Sequence, residues 1–229
     1  MHYHSAHVTG TVICLGYSTN AKGMAPKADA VGYEWNNDAS EATTAAGNGM
    51  LLSNHSYGWG ASGIPDWYFG AYNYRSREWD VIMYNAPNYL MVCSAGNDGN
   101  DNSSNGDPLD GNSSYDKLSG FKTSKNNMVV ANGDDANIDA NGNLISVVIS
   151  SSSSEGPTDD YRIKPDITGN GTLVYSSYEG SDSEYGTFPG LPCFARCLRD
   201  TFTIATILQC PKFIFYEGCY LKGPGIAYC

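Results

Sequence analysis

The 229-residue sequence predicts an α/β fold, a doubly wound and mostly parallel sheet with helices on both faces, incomplete as written. Three observations predict it. Short apolar runs at 30–35, 50–58, 89–93 and 127–131 read as buried strands, and continuous apolar character is the mark of strands covered on both faces. Helical stretches at 39–47 and from Arg75 to the residues before Pro87 alternate with them. With 41% hydrophobic and 16% charged residues, the chain has enough apolar surface for one sizeable core.

In chain order, residues 1–11 carry no basic n-region or apolar h-region, so either the chain is cytosolic or its true beginning lies upstream. His2, His4 and His7 lack the nearby carboxylate of a metal site, whereas a histidine in the first turn of a helix followed by small residues suits a general base. A Gly- and Pro-rich turn at 21–28 leads into the first strand, and Asp38 is expected to cap the helix after it. In a doubly wound sheet, sites gather beyond the carboxyl ends of strands, and His55-Ser-Tyr-Gly58 and Ser94-Ala-Gly-Asn97 occupy such positions.

The polar stretch 98–110 lacks the Gly and Glu spacing of an EF-hand and reads as a solvated loop, so no metal or other cofactor is expected. Asp139-Ala-Asn-Gly-Asn143 reads as a hairpin turn and Ser150-Ser-Ser-Ser-Ser154 as loop. Thirteen Lys and Arg against 24 Asp and Glu, a net charge of −11, disfavour nucleic acid or an anionic membrane as partner. No segment has the length and apolarity of a transmembrane helix.

Composition breaks near residue 188. Residues 1–188 hold 9 basic and 22 acidic residues with Cys14 and Cys93, whereas 189–229 hold 4 basic and 2 acidic residues with five cysteines. Those five have no C-x-x-C pair and no histidine beside them, which argues against a metal cluster.

Five segments in register resemble the subtilisin-like serine peptidases. His4-Ser-Ala-His-Val-Thr-Gly-Thr11 is similar to H-G-T-H-V-A-G-T, Gly23-Met-Ala-Pro-Lys-Ala28 to G-V-A-P-x-A, and Asn54-His-Ser-Tyr-Gly58 to N-x-S-x-G. Ser94-Ala-Gly-Asn-Asp-Gly99 is similar to A-A-G-N-x-G, and Gly156-Pro-Thr-Asp-Asp-Tyr-Arg-Ile-Lys-Pro-Asp-Ile167 to G-P-T-x-D-G-R-x-K-P-D-I. The resemblance implies His4 as catalytic base and Asn97 as oxyanion donor. It also implies Ser56, Tyr57 and Gly58 with Ser94, Ala95 and Gly96 as the backbone that holds a polypeptide substrate. It implies an extracellular, secreted endopeptidase, and a catalytic Asp upstream of residue 1.

The family nucleophile motif S-G-T-S-M-A-x-P should follow Phe188, and its serine falls at Pro192. Codons for 188–193 read one base earlier permit S-G-T-S-M, and a further one-base step permits an apolar helix behind it. The expectation is therefore a partial catalytic domain over 1–188 and a frameshifted translation over 189–229, without turnover as written. A peptide-binding pseudopeptidase is the second reading. An aromatic-rich carbohydrate-binding module is the third, suggested by 17 Tyr and 4 Trp and opposed by the α/β pattern.

Overall fold

The computed structural model describes residues 3–187 and, as backbone, 212–216. In chain order the elements are α1 (Tyr3–Ile13), β1 (Asp29–Tyr33), α2 (Asp38–Gly47), β2 (Leu52–His55), α3 (Tyr74–Asn85), β3 (Leu90–Ser94) and β4 (Met128–Gly133). They continue with β5 (Asn137–Ile138), β6 (Leu144–Ser146), β7 (Ile167–Asn170), β8 (Tyr175–Ser177), β9 (Tyr185–Thr187) and β10 (Lys212–Tyr216). Six strands form one parallel sheet in the order β1-β10-β2-β3-β4-β7. Two antiparallel hairpins, β5–β6 and β8–β9, stand outside it. The α/β expectation holds, and β10 brings part of the compositionally distinct C-terminal stretch into the sheet.

The side-chain period of two along each strand divides the core between the two sheet faces. Met91, Cys93 and Val129 point to one face, where Ala39, Ala42 and Ala46 of α2 and Trp79, Ile82 and Met83 of α3 cover them. Leu52 lies on the other, packed by Val8 and Val12 of α1 with Leu90, and Val92 and Val130 form a further cluster with Leu90 and Met128. The alanines of α2 let it lie close, and the room they leave is filled by Trp79, fully buried.

Helix α3 begins where the sequence supplies a reciprocal cap. Asn73 Oδ1 accepts from the N–H groups of Arg75 and Ser76, at 3.0 and 3.4 Å, and Ser76 Oγ accepts from Asn73 N–H at 3.3 Å. Later in the helix Asp80, nearly buried, accepts the backbone N–H groups of Lys125 and Asn126 and the hydroxyl of Tyr72. This carboxylate ties α3 to the entry of β4.

Asp38 does not act as the expected cap: it is the first residue of α2, behind Asn37, which makes no side-chain cap bond. Its Oδ1 accepts from Ala39 N–H at 2.7 Å and its Oδ2 from the Tyr57 hydroxyl at 2.7 Å, so the carboxylate is shared with the end of β2. The turn at 139–143 is a hairpin turn as expected, but only Gly142 takes a positive φ there, of +85°.

The segment 156–166 braces β4 from outside. The Lys164 ammonium donates to Asn127 O and Oδ1 and pairs with Asp166 at 2.6 Å, while Asp166 Oδ2 accepts Val129 N–H at 2.7 Å. Replacing Trp79 with Ala removes the largest buried side chain between α2, α3 and the sheet. Urea unfolding of Trp79→Ala should show a loss of about 3–5 kcal/mol, and an unchanged midpoint would contradict this packing.

Candidate functional site

The site forms where two neighbouring parallel strands end. β2 and β3 pair in register through Leu52↔Leu90 to His55↔Cys93, and both chains leave the sheet at the same level. One continues as Ser56, Tyr57 and Gly58, the other as Ala95, Gly96 and Asn97 after Ser94. The sheet thus brings together all six residues expected to hold a peptide, together with Asn97.

Serines from the low-complexity run fix the second of these segments. Ser154 N–H donates to Gly96 O at 3.1 Å, Ser154 Oγ accepts Asp98 N–H at 3.0 Å, and Gly99 N–H donates to Ser152 O. Asp98 Oδ1 accepts Ala61 N–H, joining the two loops. Gly96 has a φ of +121°, a conformation that favours glycine, and a Cβ there would come within 2.6 Å of Ser154 Oγ. In this frame Asn97 Oδ1 is buried and meets no hydrogen-bond partner among the described residues.

His4 stands in the first turn of α1, half-buried, and the helix packs on the Leu52 face of the sheet through Val8 and Val12. The helix is anchored from behind by the β8 hairpin: Ser177 Oγ donates to Ala6 O, Ser176 Oγ to His7 O, and His7 Nε2 lies 3.0 Å from Val174 O. Gly10 makes this approach possible, since a Cβ there would overlap the Ser177 hydroxyl. Pro192, the expected nucleophile position, lies outside the described residues.

Beneath Tyr57 runs a buried chain of hydrogen bonds that the sequence reading missed. Tyr57 donates to Asp38, so its oxygen accepts from His55 Nδ1–H at 2.8 Å. His55 Nε2 is then the acceptor for Ser53 Oγ at 2.6 Å, and Ser53 accepts from the Tyr89 hydroxyl at 2.6 Å. The only sequence signal was the polar string Ser53-Asn-His55 inside a strand all of whose residues are buried.

Desolvation holds the His55 imidazole well below 6.5, and its neighbour contacts suit the neutral ring, which edges onto Trp79 at 4.7 Å between centroids. Burial also lowers His7, opposed in part by the Val174 carbonyl, and raises the Cys93 thiol to about 12. Cys93 is a neutral core residue, and no cluster of three metal-ligating side chains occurs among the described residues.

Beside Tyr57 and Gly58 opens an aromatic recess of about 350 Å³, walled by Trp35, Tyr57, Trp59 and Phe121 with Asp38 and Arg75 at its edge.

A parallel α/β sheet whose adjacent strand ends present glycine-bearing backbone beside an asparagine defines the class of doubly wound folds that bind ligands at the carboxyl edge. Within that class the chain belongs to the Subtilase family, whose model matches residues 1–195. Three solved structures share the fold. The patellamide maturation protease PatG matches with a TM-score of 0.55 at 13% identity, over 91% of this chain and 54% of that one. The PatG macrocyclase in complex with peptide matches with a TM-score of 0.56 at 14% identity, over 91% and 55%. The prenylagaramide maturation protease PagA matches with a TM-score of 0.55 at 16% identity, over 93% and 68%. The chain thus spans about half the length of the PatG chains. No curated protein matches it in sequence.

The two depressed histidines make stability depend on pH in a stated direction. A folded-state pKa below the unfolded 6.5 leaves the native state with fewer protons, so stability is complete above 6.5 and falls as pH drops below it. Urea midpoints measured between pH 7.5 and 5.5 should therefore decline with acidification, and His55→Gln should shallow the slope by up to about 1.4 kcal/mol per pH unit. Parallel pH profiles for the two proteins would count against a neutral buried His55.

Proposed function

We propose that residues 1–188 are the peptide-binding part of a secreted serine endopeptidase catalytic domain, and that 189–229 is a frameshifted translation in which Pro192 replaces the nucleophile. The observation that carries the reading is the register of two glycine-bearing strand ends that leave the sheet at one level, with the half-buried Asn97 at their edge. An extended peptide would add to the Ser56–Gly58 and Ser94–Gly96 backbone as a strand, which gives affinity through main-chain hydrogen bonds.

In the intact enzyme a serine hydroxyl would attack the peptide carbonyl, His4 would take its proton, and the Asn97 amide would donate to the oxyanion as an acyl-enzyme forms. The structural neighbours, a maturation protease and a macrocyclase in complex with peptide, support a polypeptide as ligand. The scheme uses side chains and backbone alone, and no cluster of three metal-ligating side chains occurs among the described residues.

The second reading, a pseudopeptidase that holds peptides without cutting them, is favoured by one observation. Lys212–Tyr216 pairs with both β1 and β2, as a folding C-terminal stretch would. Hydrogen exchange separates the two readings, since lasting protection at 212–216 supports a folded pseudopeptidase and rapid exchange supports a frameshifted tail.

The chain as written should neither react with a fluorophosphonate nor turn over casein, and labelling of a serine would overturn the assignment of Pro192. Sequencing the DNA across 188–193 should reveal codons that yield S-G-T-S-M one base earlier. In a frame-restored enzyme extended to include the upstream Asp, Asn97→Ala should lower kcat about a hundredfold to a thousandfold, the loss typical of an oxyanion donor.

A further inference from the structure

A cavity of about 500 Å³ shares no lining residue with the strand ends and carries four carboxylates, Asp66, Asp107, Asp116 and Asp159, with Trp67 and Phe69 beside them. The four come from three separate loops. None of them forms an ion pair among the described residues, and the cations next to them in sequence are committed elsewhere. Arg162 pairs with Asp160, and the Lys117 ammonium donates to Gly99 O and Asn102 Oδ1.

One of the four is buried. Asp116 is 3% exposed, and its Oδ2 accepts from Asn105 Nδ2 at 2.9 Å and from Leu109 N–H at 3.0 Å. Its Oδ1 is buried as well and meets no donor among the described residues. A Cβ placed on Gly70, the residue after Phe69, would stand 2.5 Å from that oxygen and closer still to Asp159 Oδ1. The Asp159 N–H donates to Gly70 O at 3.0 Å, which fixes the approach of the two loops. Gly70 has a φ of +65°, so glycine suits the position twice over. Two carboxylate oxygens thus converge on one notch in the backbone, on the wall of an acidic cavity.

A buried charged oxygen without a donor is costly, and a second carboxylate beside it adds repulsion. Two arrangements relieve both: a proton shared between the carboxylates, or a cation bound by both. Partial burial and the charges of Asp116 and Asp160 hold the Asp159 carboxyl above its ordinary value, as expected of a pair that lacks a counter-charge.

We propose that Asp116 and Asp159 bind a calcium ion through these two oxygens, with Asp66 and Asp107 adding negative potential around it. The site is independent of the peptide-binding reading and of the hydrolytic scheme. Calcium takes oxygen ligands at about 2.3–2.6 Å and accepts irregular shells completed by carbonyls and water. Two oxygens that both lie so near one point fall within the span of one such ion. The described residues hold no group of three metal-ligating side chains, so main-chain oxygen and water complete the shell. Magnesium demands near-ideal octahedral geometry, and softer metals want nitrogen or sulfur ligands that the cavity lining lacks. A shared proton would neutralise one charge of four, whereas a divalent ion answers the cavity as a whole. The ligands come from separate loops, so the missing EF-hand spacing at 98–110, which led to an expectation of no metal, does not bear on them.

A bound ion would tie the loop before α3 to the segment 156–166 that braces β4. Binding to the folded chain alone raises its stability by mass action.

The test uses the whole chain and terbium, an oxygen-seeking stand-in for calcium whose emission is excited through a nearby indole. Trp67 lines the same cavity. Tryptophan-excited terbium emission should appear on binding and be displaced by calcium at about 0.1–1 mM, the range of weak calcium modules, while equal magnesium displaces little. Calcium should also raise the melting midpoint of the chain over that range. Asp159→Asn and Asp116→Asn should each weaken calcium about tenfold or more and abolish the rise in midpoint. Asp159 is exposed, so its variant decides the matter even if Asp116→Asn does not fold. Absence of both terbium emission and a calcium-dependent midpoint would leave the shared proton as the arrangement and overturn the site. Emission and displacement unchanged in Asp159→Asn would place the ion elsewhere and overturn it equally. Displacement by magnesium as readily as by calcium would overturn the assignment to calcium.

Discussion

The carboxyl edge of this sheet depends on one buried run of hydrogen bonds, from Tyr89 through Ser53, His55 and Tyr57 to Asp38. β2 has no exposed residue, yet three of its four side chains are polar. Such a strand is tolerable because most of its polar atoms are bonded, with Asn54 Nδ2 donating to Ser56 Oγ and Asn54 Oδ1 left without a partner among the described residues, since each unpaired buried group costs about 1–3 kcal/mol. The solution has a direction. Asp38 can only accept, so Tyr57 donates to it, His55 donates to Tyr57, and Ser53 donates to His55. The chain fixes the Tyr57 ring, and Tyr57 fixes the path of the backbone that leaves β2.

The two faces of the sheet divide the labour around that edge. On one, α2 and α3 pack on Met91, Cys93 and Val129, and carry Asp38 and the Asp80 clamp that orders the approach to β4. On the other, α1 packs on Leu52 and brings His4 with it, held from behind by the serines of β8. The groups assigned to peptide binding thus come from elements with independent anchors, and the strand ends between them are backbone with little side-chain bulk. This arrangement suits a ligand recognised chiefly by its main chain.

Much of this was legible in the sequence because it is local. The runs at 89–93 and 127–131 announce strands by continuous apolar character, Pro87 ends α3, and the motifs around His4, Asn54 and Asn97 carry the family likeness that the matched model over 1–195 bears out. What was not legible depends on residues far apart. Asp38 read as a cap because Asp before a helix usually is one, and its partnership with Tyr57 spans 19 residues. Ser150 to Ser154 read as featureless, yet Ser154 fixes Gly96 and Asp98 from more than fifty residues away. Asp116 and Asp159 stood in separate loops, and nothing around either shows that both meet at Gly70. Pro192 is legible only through its codons and lies outside the described residues.

Backbone amide exchange with and without a bound extended peptide tests the central claim most directly, since it reads the main chain that the peptide is held to occupy. Exchange should slow at 56–58 and 94–97 together when peptide is bound, with residues of β7 and of the β5–β6 hairpin unchanged. Protection confined to those outer elements, or none at either strand end despite measured binding, would contradict the placement of the peptide at the carboxyl edge of β2 and β3.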